Sequence, residues 1–232
     1  MVRCADGTGP GAFDEEQAKA YAAALDIETE FPHDQVFLDI LWQHSRGAAL
    51  DCGGGTGRYA AWLLERGLAT SVHVIDNSQL MIDECLTRGL PGLHVQVADI
   101  ETADFGREKY DIALARFILM HIRDIEGSIN RIAMSLKEKG TLAIVTNMIK
   151  GTPTAREIVI EEPSRIMKLI LQAKGQPIPV FNYARTQEDY TNALQRAGLR
   201  LEFSETYEPR IVRFEKEYPG MMLSHLVLVG KK

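Results

Sequence analysis

The stretch Asp51-Cys52-Gly53-Gly54-Gly55-Thr56-Gly57 follows the short apolar run Ala48-Ala49-Leu50 and leads into the helix-like segment Arg58-Tyr59-Ala60-Ala61-Trp62-Leu63-Leu64-Glu65. A strand that passes into a helix through four glycines brings bare backbone N–H groups and a helix N-terminus against a ligand, an approach that side chains would block. The stretch therefore reads as a nucleotide-cofactor site. Spacing argues against two common occupants. The dinucleotide fingerprint GxGxxG requires glycine at its sixth position, and counting from Gly53 the sixth residue is Arg58. The phosphate-binding loop requires GxxxxGK followed by Ser or Thr, and no lysine follows these glycines.

What remains is an acidic residue, any residue, then GxGxG, which resembles motif I of the class I S-adenosylmethionine (SAM) methyltransferases. Later segments agree with that resemblance in order and spacing. Ser71-Val72-His73-Val74-Ile75 reads as a β-branched strand ending at Asp76, 19 residues after Gly57, where a carboxylate can accept both hydroxyls of a ribose. His94-Val95-Gln96-Val97 alternates like a strand and closes on Ala98-Asp99-Ile100. In the family pattern that acidic residue faces the adenine amino group and the next backbone N–H meets a ring nitrogen. Tyr110 to Ala115 resembles the fourth strand, with Asp111 at its start, and Leu136 to Val145 resembles the helix end and fifth strand, with Lys139 in place of a family glycine.

The resemblance implies an α/β fold: a seven-stranded, mostly parallel Rossmann-like sheet with helices on both faces, an antiparallel last strand, an N-terminal helical lid and a helical cover insertion after strand 5. Residues 1–45 are expected to supply a tail and lid helices. Residues 46–232 are expected to form the SAM-binding domain, with the insertion at about 151–185 and a single domain overall. Asp14-Glu15-Glu16-Gln17 has a capping-box pattern that opens a helix through about Leu25, and Val36, Phe37, Ile40 and Leu41 give a second helix over about Asp34 to His44 an apolar face. In the insertion, Glu157 to Ala173 carries a helical apolar pattern amid Pro153, Pro163, Pro177 and Pro179. Thr186-Gln187-Glu188-Asp189 starts a last helix, and Leu199 to Tyr207 and Leu223 to Val229 read as closing strands.

Bulk properties set limits on function. The chain has 232 residues, 45% of them apolar and 25% charged, which is the make-up of an ordinary globular domain with a full core. A net charge of −6 offers no excess of positive charge to phosphate backbones, so a nucleic-acid partner is disfavoured. No apolar run approaches the length of a membrane span, and Met1 to Gly11 lacks an apolar signal core, so a cytoplasmic location is expected. Cys4, Cys52 and Cys85 are too few and too far apart for a disulfide framework or a zinc pattern, and no histidine spacing suggests a metal.

The resemblance implies a small-molecule methyltransferase that uses SAM and releases S-adenosylhomocysteine, acting on an oxygen or nitrogen, with a role in secondary metabolism. The expected partner is the methyl acceptor, and the expected state is a monomer or homodimer. By the same resemblance Asp51, Gly53, Gly55 and Gly57 hold the methionine end of the cofactor, Asp76 with Asn77 the ribose, and Asp99 with Ile100 the adenine. Arg116, at the end of the fourth strand, is placed with the cofactor residues; its planar fork of donors suits a carboxylate on the substrate, or else it pairs with an acidic neighbour. His121 is the candidate catalytic residue. It stands ten residues after Asp111, one beyond the position of the catalytic histidine in plant-type O-methyltransferases, so its role is either orienting the acceptor or acting as general base. Tyr21, Phe117, His121, Tyr183 and Arg185 are the expected acceptor-binding residues. Two other readings share the motif: a protein or RNA methyltransferase with an open charged groove, and a SAM-binding protein that does not transfer methyl.

Overall fold

A computed structural model describes residues 32–44, 46–150, 166–173, 176–207 and 222–232 of the chain. The first expected lid helix, Tyr21 and the early part of the insertion lie outside these residues.

The described chain builds a seven-stranded sheet. Its strands are β1 (Ala48–Cys52), β2 (Ser71–Asp76), β3 (Leu93–Val97), β4 (Tyr110–Arg116), β5 (Leu136–Lys150), β8 (Arg200–Tyr207) and β9 (Met222–Lys231), in the order β3-β2-β1-β4-β5-β9-β8. Strands β1 to β5 pair in parallel, while β9 runs antiparallel between β5 and β8. The order reverses at β1, with β2 and β3 on one side and β4 and β5 on the other, and open α/β sheets bind ligands outside the carboxyl ends of strands at such a point.

Local sequence explains the elements that frame this edge. Helix α1 (Pro32–His44) buries Phe37, Ile40 and Leu41 against one face of the sheet, in a core shared with Val72, Val74, Leu114 and Val227. Helix α2 (Arg58–Glu65) starts at Gly57, and helix α3 (Gln79–Leu86) is capped by Ser78, whose side chain accepts the Met81 N–H. On the opposite face lie α4 (Ile125–Ser135), capped by Asp124, and α5 (Gln187–Arg196), opened by a reciprocal Thr186–Asp189 capping box. Their buried residues Ile129, Ile132, Tyr190 and Leu194 pack with Leu50, Ala113, Ile144 and Leu228. Strand β1 is buried from Ala49 to Cys52, as expected of a central strand covered on both faces.

Lys139 explains why the family pattern carries glycine at its place. Its φ is +64°, a left-handed conformation that costs a residue with a Cβ. The lysine adopts it in the irregular stretch between the Tyr110–Leu136 and Ile112–Thr141 pairs.

The insertion departs from the expected helical cover. Its described part is a two-stranded antiparallel hairpin, β6 (Ile166–Ala173) and β7 (Gln176–Tyr183), forming a sheet of its own. A run such as Ile166-Met167-Lys168-Leu169-Ile170-Leu171 fits both helical and strand periods, and pairing decides between them. Pro177 and Pro179 stand opposite Gln172 and Ile170. Both strands of a two-stranded sheet are edges, so prolines that cannot donate are tolerated there.

Candidate functional site

The cleft at the sheet's switch point is built first from the Asp51–Gly57 turn. Gly53 and Gly54 both donate their N–H to the Ile75 carbonyl, 2.6 and 3.2 Å away, which folds the turn back over β2. A Cβ added to Gly55 would meet nothing nearer than Met81 Sδ at 3.9 Å, so this side of the turn faces open space. Gly57 also has a packing role. Its φ is +73°, and a Cβ there would come within 2.3 Å of Cys85 Sγ. It allows α2 to begin close against α3, and it is not among the described residues that line the cleft.

Asp51 and Asp76 supply the acidic groups. Asp76 ends β2, where Oδ2 accepts the Gly55 N–H at 3.0 Å and Oδ1 accepts the Ser78 N–H at 2.9 Å. Burial raises its pKa, while the N–H groups of Ser78, Gly55 and Asn77 oppose the rise. Asp51 is 3% exposed, and its Oδ2 is buried without a hydrogen-bond partner. Burial first, and the Asp76 carboxylate second, push its pKa up to about 7. A buried carboxylate that has lost water and gained no donor is complementary to a cationic or hydrogen-bond-donating ligand.

On the far wall stands Arg116, whose Nη2 donates to Asp34 Oδ1 at 2.8 Å. Its guanidinium lies over the Tyr59 ring at 5.0 Å and the Phe117 ring at 4.7 Å, a sandwich that fixes the cation in place. Its Nε is buried and has no partner. Arg116 thus pairs with an acidic neighbour and also lines the cleft. Asp34 was not singled out by sequence, because its partner lies 82 residues away. Gly54, Thr56, Arg58, Tyr59, Ser78 and Met81 also line the cleft. Gly54, Thr56, Arg58 and Tyr59 lie in or beside the glycine turn in sequence, and Ser78 and Met81 follow Asp76.

Another part of the cleft lining is formed by Phe117, Ile118 and His121. Phe117 takes a φ of +51°, a conformation uncommon for a bulky residue, and donates its N–H to the Val145 carbonyl at 2.6 Å. Such strain is concentrated at functional sites. Its ring is edge-on to His33 at 5.5 Å and to His225 at 5.2 Å. Those two histidines, 192 residues apart in sequence, meet through their Nδ1 atoms at 3.1 Å. Burial holds both neutral, pushing His33 down to about 3 and His225 to about 4. His121 belongs to a short 3-10 turn (Leu119–His121), and its side chain borders the cleft while the residue is 8% exposed.

Other expected residues stand elsewhere. Asp99 is exposed and caps its own turn, with Oδ1 accepting the Glu101 N–H at 2.8 Å, and Ile100 is packed in the core with Phe105. Neither is among the described lining residues, although Ala98 donates to the Asp76 carbonyl and keeps this turn beside the ribose position. Arg185 corrects the expectation of an acceptor-binding arginine. Its guanidinium is committed to three backbone carbonyls, of Leu119 at 3.1 Å, Ile122 at 2.5 Å and Arg123 at 3.0 Å. It holds the turn that carries His121. Tyr183 stacks on that guanidinium at 4.8 Å and is likewise absent from the described lining. Among the described residues no cluster of three or more His, Cys, Asp and Glu side chains suits a metal ion, and no helix is long and apolar enough to cross a membrane.

Comparison with known proteins agrees with this geometry. The sequence model of a methyltransferase domain matches residues 50–144. The chain is 29% identical over 130 residues to a malonyl-[acyl-carrier protein] O-methyltransferase of Acetivibrio thermocellus, covering 56% of this chain and 46% of that protein. It is 27% identical over 141 residues to the aklanonic acid methyltransferase DauC of Streptomyces sp. (strain C5), covering 59% of this chain and 64% of the relative. The chain thus spans about half to two thirds of the length of these relatives. In fold it resembles an S-adenosylmethionine-dependent methyltransferase from Mesorhizobium loti, with a TM-score of 0.62, 19% identity and coverage of 86% of this chain and 97% of that one. The switch-point cleft, the glycine turn and the antiparallel β9 define a Rossmann-like nucleotide-cofactor domain of the methyltransferase type. Residues 50–144 match a methyltransferase domain, and the chain is similar in sequence to methyltransferases and in fold to SAM-dependent methyltransferases.

Proposed function

We propose that the protein transfers the methyl group of SAM to an oxygen atom of a small molecule. The observation that carries the cofactor half of this reading is the pair of unsatisfied buried groups in one cleft: the Asp51 Oδ2 acceptor and the Arg116 Nε donor. An amino-acid zwitterion presents an ammonium and a carboxylate, and these two groups complement it. In this reading Asp51 takes the ammonium and Arg116 the carboxylate. Gly53 and Gly55 give the backbone room to approach, Asp76 with Asn77 takes the ribose hydroxyls, and Asp99 with Ile100 flanks the base.

The bound cofactor supplies an electrophilic methyl group on a sulfonium. The protein's part is to align an acceptor and exclude water. Phe117 and His121 border the cleft on that side, and Arg185 fixes the His121 turn against it. His121 is read as orienting the acceptor, because the arginine-pinned turn gives it a fixed direction. Oxygen is favoured over nitrogen because the two relatives similar in sequence are named for an acid or for O-methylation, while an N-methyltransferase is similar in fold alone. One of them acts on aklanonic acid, which agrees with a place in secondary metabolism. A net charge of −6 argues against an RNA substrate.

The test is incorporation of label from methyl-labelled SAM into a panel of phenols, alcohols, carboxylic acids and amines, with a protein extract and total RNA as the competing arms. Label in oxygen-bearing small molecules alone is the expected result. Label in protein or RNA would replace this reading with a macromolecular one. Tight SAM binding with no label in any arm would mean a SAM-binding protein that does not transfer methyl.

A further inference from the structure

Asn182 lies one residue from the end of β7, the strand that packs against the Leu119–His121 turn. It is 1% exposed, yet neither its Nδ2 nor its Oδ1 has a hydrogen-bond partner. A buried carboxamide with both ends unmet loses its hydration and receives nothing in return, which is rare in native folds. Its neighbours do not share this state. Three residues on, Arg185 has three carbonyl partners, and Tyr183 is stacked on that guanidinium. The segment is therefore held firmly by groups other than the Asn182 amide.

A second carboxamide oxygen is also unmet. Asn147, on the carboxyl-end extension of β5, has a buried Oδ1 with no partner. The β5 extension is joined to the Arg185 segment by the Ile149 N–H, which donates to the Arg185 carbonyl at 2.8 Å. It also packs against the turn that carries His121. Two elements that flank the acceptor side of the cleft thus each carry a polar group that the fold itself does not use. Local rules are broken in this way where a sequence has been shaped for a ligand rather than for stability.

The chemistry of the ligand follows from the amide. Asn182 offers a donor and an acceptor on adjacent atoms, and exchanging the two by rotation leaves the demand unchanged. A carboxylate only accepts and an ammonium only donates, so each would leave one end unmet. A hydroxyl both donates and accepts. We propose that Asn182 is an acceptor-binding residue that hydrogen-bonds a hydroxyl group, phenolic, enolic or alcoholic, of the methyl acceptor. This inference rests on the methyl-transfer reading for the identity of the ligand.

The test uses Asn182→Leu, which keeps the volume and removes the polar group, in the full chain. Because the amide is unused by the fold, the variant is expected to be as stable as the wild type or to melt about 2–8 °C higher. Its affinity for SAM is expected to stay within about twofold, as Asn182 is outside the cofactor cleft. Protein loaded with S-adenosylhomocysteine is then titrated with a panel of phenols and their deoxy counterparts. Wild type is expected to prefer the phenols by at least about tenfold, as a lost hydrogen bond to a buried group implies. Asn182→Leu should abolish that preference. The inference is overturned if the variant retains the preference, if wild type has none, or if the variant melts several degrees lower, which would assign the amide to the fold. Because the readout is binding, failure of methyl transfer shows separately, as phenols that bind selectively and are never methylated.

Discussion

Replacing Asp51 by Asn isolates the charge at the centre of the cofactor site. Burial and the neighbouring Asp76 raise the Asp51 pKa from 3.8 to about 7, with Arg116 opposing. At about 1.4 kcal/mol per decade of protonation equilibrium, this interval makes the ionised form cost roughly 4 kcal/mol in the ligand-free protein. Between these two values the folded chain keeps a proton that the unfolded chain has released. The Asp51 contribution therefore makes stability fall as pH rises through that window and level off above about 7. Asparagine keeps the shape and removes the charge, but leaves an amide whose own unmet bonding costs about 1–3 kcal/mol. The net expectation at pH 8 is a ligand-free variant more stable than wild type by roughly 1–3 kcal/mol, or about 2–10 °C in Tm. Near pH 5, where wild-type Asp51 is already protonated, the gain should vanish. SAM affinity at pH 8 should fall at least about tenfold, because the counter-charge for the cofactor ammonium is gone. Thermal scans at the two pH values and calorimetric titration of SAM measure both effects. A variant that is no more stable than wild type at pH 8 and binds SAM equally well would refute the assignment of Asp51 as a charge held in strain for the cofactor.

Three further outcomes follow from the same geometry. Asp76→Ala should weaken SAM binding by about 1–3 kcal/mol, read by calorimetry on folded protein, because it removes an oriented acceptor for the ribose hydroxyls. Unchanged affinity would remove Asp76 from the site. Arg185→Met should lower Tm by about 5–15 °C, since three carbonyls lose a shared cationic donor worth roughly 2–4 kcal/mol net of its desolvation. A shift of a degree or less would show that the guanidinium does not hold the His121 turn. His121→Ala should slow methyl transfer only a few-fold if the residue orients the acceptor. A loss of about a hundredfold or more, with a matching change in the pH–rate profile, would make it the general base instead.

The elements that frame the cleft were legible in the sequence, because they are made of local chemistry. A turn that needs bare backbone, a strand that ends in a carboxylate and the spacing between them are properties of short segments, legible from Asp51 to Gly57 and at Asp76 without knowledge of contacts. The closing strands β8 and β9 were legible for the same reason, through alternation over a few residues. At Gly57 the structure adds a packing role, because a side chain there would meet Cys85. Sequence missed the hairpin of β6 and β7, where one apolar run satisfies two periods and only a partner strand decides.

The acceptor half was not legible, because its meaning lies in pairs far apart along the chain. Arg185 looked like a ligand-binding arginine until three carbonyls from residues 119 to 123 were seen to use its donors. His33 and His225 had no spacing to suggest that they meet. Asn182 is an unremarked residue in any sequence, and only burial without a partner marks it. By itself the sequence determined the strand-turn-helix at the cleft, since backbone room and one carboxylate are encoded residue by residue. Tertiary structure alone decided which polar groups the fold consumes and which it leaves for a ligand, because satisfaction of a buried group depends on neighbours that chain order does not record.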